Sequence, residues 1–275
     1  DAAAVRPTIE PEGCTVVLGV PTIWKMLADS PEFEKATLDH VRWFISGGAP
    51  LPRQLIDVYR ERGVVLRQGY GLTEVGVNCF SMTNEEAWTK AGSIGRPLMF
   101  TEAKVVDETG QTLPPGEVGE LCFRGPHVSS GYWNNPEATA AAIDRRGWFH
   151  TGDMATCDED GFFTIAGRAK DMFISGGVNV YPAEIENQLL QHPSLADAAV
   201  IGAPHETWGE VGVAYVVPVE GEGVDPKALE SFLQARLARY KVPKEYIVRG
   251  ELPRTEYGKV VKGELVEDWK RREKA

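Results

Sequence analysis

Three short apolar runs, "CTVVLGV" (14–20), "VRWFIS" (41–46) and "VVLRQGY" (64–70), punctuate the first third of the chain, and the last two lead straight into glycine-rich turns. Their apolar, β-branched content predicts buried strands. Between the second and third lies "LPRQLIDVYRERG" (51–63), in which Leu55, Val58 and Tyr59 fall at helical spacing and Gly63 marks the end. Strand, helix and strand in that order predict a parallel α/β layer. In such layers ligands collect beyond the carboxyl ends of the strands. The turns "SGGAPLP" and "GYGLTE" occupy that position.

From about 94 to 167 the pattern changes to short strands separated by Asp, Gly and Pro, as in "EAKVVDETGQTLPPGEVGELCFRGP" and "ATCDEDGFFTIAGR". This predicts a small β-rich subdomain. A compact α+β pattern follows Arg168. Pro182 opens a helix through "PAEIENQLLQ", "DAAVIGAP" and "GVAYVVPV" read as strands, and Asp225-Pro226 opens a helix with Leu229, Phe232, Leu233, Leu237 and Tyr240 on its apolar face. Lys259 lies behind a turn and ahead of a short helical run. The charged "GRAKD" at 167–171 is the best boundary. The expected fold is therefore α/β: a parallel layer with a β-rich subdomain over residues 1–169, and a small α+β domain over 170–275.

A net charge of −11 over 275 residues argues against general affinity for nucleic acid or an anionic membrane surface. The charge is uneven. Residues 171–230 carry 10 acidic and 1 basic side chains, whereas 231–275 carry 7 acidic and 12 basic. Arg236, Arg239, Lys241 and Lys244 form either a solvated helix face or a surface for an anionic ligand. The widely spaced Cys14, Cys79, Cys122 and Cys157 make no CxxC pair, which speaks against a disulfide framework or zinc site and for a reducing cytoplasm. No apolar run approaches the roughly 18 residues of a membrane span. A homo-oligomer is allowed but not specified.

Several stretches carry chemistry. In "GYGLTE", glycine lets backbone approach a ligand, Thr73 offers a hydroxyl to a phosphate oxygen, and Glu74 offers a carboxylate to a hard cation. Asp153 in "HTGDMA" is suited to gripping vicinal ribose hydroxyls. Alone, each reads foremost as an ordinary structural turn, the first as a turn with a helix N-cap. Trp88 and Trp133 read as packing residues.

In order, "SGGAPL", "YGLTE", "GELCFRGPHVSSGYWNNPEAT", "GWFHTGD", "GRAKDMFISGGVNVYPAEIE" and "PRTEYGK" resemble the core motifs of the adenylate-forming superfamily of acyl-CoA synthetases, adenylation domains and luciferases. "KAGSIGRPLMFTEAKV" and "PHETWGEVGVAYVV" are most similar to medium- and long-chain fatty-acyl-CoA ligases. The resemblance implies ATP, magnesium and CoA as cofactors, and a carboxylic acid and CoA as partners. It implies that Gly47, Gly48 and Ala49 face one side of adenine and Tyr70 the other, with Gly71 in the same turn. Thr73 would bond the α-phosphate, Glu74 would ligate magnesium, and Asp153, supported by Arg168, would hold the ribose. Lys170 matches the hinge between half-reactions, with Asp171 as an alternative. Gly177 matches the glycine lining the pantetheine passage, with a plain turn glycine as the alternative. Lys259 matches the lysine that reaches the α-phosphate and the carboxylate during adenylation.

The superfamily's phosphate-gripping loop lies upstream of "SGGAPL" and is not in this sequence, so the chain is expected to begin inside the large domain and to adenylate poorly alone. Residues 75–80, "VGVNCF", are expected to floor an acyl pocket suited to an aliphatic or aromatic acid. Loading of a carrier protein, or a non-catalytic nucleotide- or CoA-binding remnant, are the alternatives.

Overall fold

The computed structural model describes residues 9, 11–31, 33, 35–49, 51–255 and 258–273. Pro50 of "SGGAP" and Glu256 and Tyr257 of "PRTEYGK" lie outside the described residues. The chain divides into two compact units, Asp1–Ile165 and Ala166–Ala275.

The first unit begins with β1 (Val16–Gly19), α1 (Pro21–Ala28), β2 (Trp43–Ser46), α2 (Arg53–Glu61) and β3 (Leu66–Gln68). The strands pair in the order β1-β2-β3, all parallel, as the strand–helix–strand pattern requires. Trp24 of α1, Phe44 of β2 and Tyr59 of α2 form the aromatic centre of this layer's core, and the Tyr59 hydroxyl donates to Trp24 O at 3.0 Å.

A second set of elements follows: β4 (Phe80–Ser81), α3 (Asn84–Thr89), β5 (Arg96–Pro97), β6 (Glu102–Val106), β7 (Gly119–Arg124), α4 (Pro136–Ala142), β8 (Phe149–Cys157) and β9 (Phe163–Arg168). The short β4 and β5 pair with each other, and β6-β7-β8-β9 form the β-rich sheet expected from the turn-punctuated sequence. Thr83 and Glu86 make a reciprocal capping box at the start of α3. The apolar core here gathers Val75, Phe80, Ile94, Leu121, Phe123 and Phe149. Trp133 does not pack as the sequence reading expected. It is 92% exposed and precedes Asn134, whose φ of 51° turns the chain there, while Trp88 on the outer side of α3 is 37% exposed.

The second unit contains β10 (Phe173–Ser175), β11 (Val178–Val180), α5 (Pro182–Leu189), β12 (Leu195–His205), β13 (Gly209–Pro218), α6 (Pro226–Gln234), β14 (Glu245–Val248) and α7 (Lys262–Glu273). The sheet order is β11-β10-β13-β12, with β14 pairing parallel to β13. β12 and β13 are apolar on both faces because both faces are covered. Val200, Ala214 and Val216 pack with Ile185, Leu189, Leu229 and Leu233 of α5 and α6, whereas Ala199, Ile201, Val213 and Tyr215 pack with Leu265 of α7. The Asp225 side chain accepts from Lys227 N–H and caps α6, whose Pro226 sits in the first turn. The sequence periodicity placed Leu237 and Tyr240 on this helix. The helix instead ends at Gln234, the chain goes extended at Ala238, and a 3-10 turn at Arg239–Lys241 brings Tyr240 against the same core by another route.

Candidate functional site

Parallel pairing fixes where the first two glycine-rich turns meet. Gly47, Gly48 and Ala49 leave the end of β2, and Tyr70 to Glu74 leave the end of β3. Backbone ties the strand ends that carry them: Gly47 N–H donates to Gly19 O of β1 at 3.0 Å, and Gly69 N–H to Ser46 O of β2 at 2.7 Å. Gly48 has φ +79°, which an L side chain adopts only under strain. A Cβ on Gly71 would lie 2.3 Å from Gly76 O and 2.6 Å from Val77 O, so only glycine fits against this backbone.

The stretch 72–76 is a closed turn. Leu72 N–H donates to Gly76 O at 3.1 Å and Val75 N–H to Leu72 O at 3.2 Å, with buried Val75 as its anchor. No helix starts there, so the reading of this stretch as a turn with a helix N-cap is set aside. Thr73 is exposed and Glu74 half-buried on the turn. The Tyr132 hydroxyl donates to Glu74 Oε1 at 2.9 Å, and Ser129 N–H donates to Glu74 O at 2.7 Å. Burial, then the hydrogen bond to Glu74 and its charge, raise the Tyr132 pKa. The sequence had assigned Tyr132 no role, because a partner 58 positions away leaves no periodicity.

Asp153 joins these turns from the β-rich sheet. The Tyr70 hydroxyl donates to Asp153 Oδ2 at 2.6 Å, and the Tyr70 ring stacks on Phe123 at 6.1 Å between centroids with 20° between planes. Asp153 is 4% exposed. A bulge delivers it: β8 advances from His150 to Met154 while β7 advances only from Cys122 to Glu120. Gly152 within that bulge has φ +69°. Bulges of this kind re-aim a side chain.

Glu120 pins the bulge. Its Oε1 accepts from Gly152 N–H at 2.9 Å, and its Oε2 lies 2.7 Å from His150 Nδ1. Thr151 Oγ1 donates to Leu121 O at 2.7 Å and accepts from Asp153 N–H at 3.0 Å. Among the described residues, Glu120, Cys122 and His150 are the group of metal-ligating type, with ligand atoms within 4.8 Å of one another. Both carboxylate oxygens already have protein partners, and burial, followed by the Glu120 charge, pushes the Cys122 thiol up to about 12. The arrangement is a hydrogen-bonded support for Asp153. All four cysteines are free thiols.

The remaining candidates belong to the second unit. Arg168 ends β9 and is exposed, and Lys170 occupies a 3-10 turn at Ala169–Asp171. Gly176 and Gly177 form the two-residue loop between β10 and β11, with φ +60° and +82°. Lys259 is exposed on a hairpin ahead of α7, and its ammonium makes no hydrogen bond or ion pair among the described residues. Of the basic stretch, Lys241 is paired with Glu184 at 2.6 Å and Arg236 lies over the Phe232 ring at 3.7 Å. These two are internal ties rather than free surface charge.

The profile described as AMP-binding enzyme matches residues 1–133, and that described as AMP-binding enzyme C-terminal domain matches residues 184–259. The chain belongs to the AMP-binding enzyme family. Feruloyl-CoA synthase of an Amycolatopsis species is 45% identical over 265 residues, covering 96% of this chain and 54% of that protein. Long-chain-fatty-acid–CoA ligase FadD13 of Mycobacterium tuberculosis is 41% identical over 269 residues, covering 98% and 53%. Among solved structures, o-succinylbenzoate CoA synthetase of Bacillus subtilis, in complex with its acyl-adenylate intermediate, matches with a TM-score of 0.88 at 34% identity, covering 96% of this chain and 53% of that one. The chain therefore spans about half the length of the curated relatives it matches. Among the described residues no helix is long and apolar enough to cross a membrane.

Proposed function

We propose that the full-length chain carrying these residues is an AMP-forming acid–thiol ligase that activates a hydrophobic carboxylic acid with ATP and passes it to CoA. The observation that carries this reading is the meeting, within one unit, of the Gly47–Ala49 turn, the Tyr70–Glu74 turn and Asp153, tied by the Tyr70–Asp153 hydrogen bond. Flat glycine backbone and an aromatic ring suit a purine, and a buried carboxylate beside them suits a ribose diol. Arg168 supports the ribose in this reading.

Thr73 donates its hydroxyl to the α-phosphate. The oxygen donors of Glu74 and Thr73 fit a hard cation, and Tyr132 engages one carboxylate oxygen of Glu74 and leaves the other available. Magnesium held there supplies positive charge against the phosphates. The acid's carboxylate oxygen bonds to the α-phosphorus, and the bond to the departing pyrophosphate oxygen breaks. Lys259 neutralises charge as it builds on the phosphate and orients the carboxylate. The C-terminal domain, taken as residues 170–275, then turns about Lys170, and the CoA thiol passes Gly177 and displaces AMP from the acyl adenylate. The functional boundary at 169/170 is part of this proposal.

The hydrophobic-acid preference rests on the acids named for the two relatives, ferulate and long-chain fatty acids, and on the uncharged 75–80 segment, in which Val75, Cys79 and Phe80 are buried in the core and Val77 is exposed. Free thiols at all four cysteines fit a reducing compartment, the cytoplasm. Lys259→Ala in the full-length chain should suppress pyrophosphate release far more than thioester formation from supplied acyl adenylate. Equal loss in both half-reactions would reduce Lys259 to a structural role.

A further inference from the structure

Lys259 stands on a hairpin that, among the described residues, is held by few contacts. The hairpin closes through Val261 N–H to Pro253 O, Thr255 N–H to Lys259 O and Gly258 N–H to Thr255 O, each at 2.8 Å, and through Lys259 N–H to Thr255 Oγ1 at 3.2 Å. Its apolar footing is Leu252, buried, and Val260, half-buried. Arg254 faces Val260 across the stem and reaches in two directions. One guanidinium nitrogen donates to Gly258 O at the far side of the turn. The other donates to Asp197 Oδ2 at 2.5 Å.

Asp197 belongs to β12. It lies at the irregularity in β12 where the register with β13 shifts, and its Oδ1 accepts from Ala198 N–H at 2.9 Å. The carboxylate is thus carried on β12 of the long β12–β13 hairpin, and Arg254 links it to the carbonyl one residue before Lys259. A guanidinium serves this purpose where an ammonium does not. Its planar fork holds two acceptors at a set angle, whereas a lysine at 254 would reach one acceptor at a time.

We propose that Asp197 and Arg254 are positioning residues for Lys259, a two-residue brace that holds the hairpin so that its ammonium arrives in register with the α-phosphate and the carboxylate. This rests on the reading of Lys259 given under Proposed function. The pair is partly exposed, with side chains 25% and 32% accessible, so its contribution to global stability is small. Its effect is on where the ammonium sits, and misplacement by about 1 Å costs on the order of 100-fold in rate.

The test is made in the full-length chain with Asp197→Asn, Arg254→Lys, their double variant and Lys259→Ala. Each is measured in single-turnover pyrophosphate release and in thioester formation from supplied acyl adenylate and CoA. We expect each single brace variant to lose about 10- to 100-fold in adenylation. Thioester formation should stay within about 2-fold, and the double variant should be no worse than the poorer single one, as for two residues acting as a unit. If Lys259→Ala selectively suppresses adenylation while the brace variants leave it intact, or lower both half-reactions together, the brace is overturned. If Lys259→Ala has no selective effect, the lysine's role fails first and the brace with it.

Discussion

Gly177→Ala separates backbone strain from ligand passage. Gly176 and Gly177 fill a two-residue hairpin loop in which both φ values are positive, the arrangement of a type I′ turn. A Cβ added at Gly177 meets nothing within 4 Å, whereas one at Gly176 would lie 2.8 Å from the Trp208 ring. The substitution at 177 therefore costs left-handed strain alone, about 1–2 kcal/mol. For a unit of this size that lowers the melting temperature by about 4–8 °C per kcal/mol, which leaves the protein folded at 25 °C. If the pantetheine arm passes over Gly177, a methyl group there obstructs it. Thioester formation from supplied acyl adenylate should then fall by about 100-fold, as for other ångström-scale misplacements. Pyrophosphate release in the first half-reaction should change by less than about 2-fold over the same temperature range, because strain confined to this loop leaves the 72–76 turn and Asp153 untouched. Rapid-quench measurement of the two half-reactions decides the matter. An unchanged thioester rate, or parallel loss in both steps, would refute the reasoning.

Two further substitutions probe the supports. Glu120→Gln removes the charge that faces His150 and weakens the acceptor for Gly152 N–H, so the bulge presenting Asp153 should loosen; the KM for ATP should rise about 3- to 10-fold with little change in kcat, from a charge-assisted hydrogen bond weakened by about 1 kcal/mol. Asp268 is held down to about 2, burial working against the shift and the hydrogen bonds from Arg272, Arg249 and Tyr215 overcoming it. Its folded pKa lies below the unfolded value, so its contribution is present above about pH 4 and is lost as the pH falls through about 2; Asp268→Asn should flatten the loss of stability across that acid window, read by denaturant titration at several pH values.

Local pattern carried the parts of the fold that depend on neighbours in sequence. β1, β2, β3 and α2 were readable because their apolar spacing and terminal glycines follow directly from what a buried parallel layer needs. The start of α6 was readable from Asp225-Pro226, but its end was not. Leu237 and Tyr240 fall on the helical period yet reach the same core after the chain has left the helix, and periodicity cannot distinguish the two routes. Gly47–Ala49 and Tyr70–Glu74 were legible as turns at strand ends because glycine there has a backbone reason; the ligand roles proposed for them come from the resemblance of the ordered motifs. The Tyr70–Asp153 bond spans 83 positions, and the Arg254–Asp197 pair spans 57. Such contacts depend on sheet register and on bulges in β8 and β12, which sequence spacing does not encode. Trp133 shows the converse error: a large aromatic was read as packing, but it stands on a turn tip in solvent.

The central claim is activation of a hydrophobic carboxylate through an acyl adenylate. Its most direct test is product analysis by mass spectrometry, with the full-length chain given ATP, magnesium, CoA and either ferulate, a long-chain fatty acid or a short dicarboxylate. The account predicts AMP, pyrophosphate and acyl-CoA in equal amounts with a hydrophobic acid, and an acyl adenylate that accumulates when CoA is withheld. Formation of ADP and phosphate, or AMP release that does not depend on the acid, would contradict it.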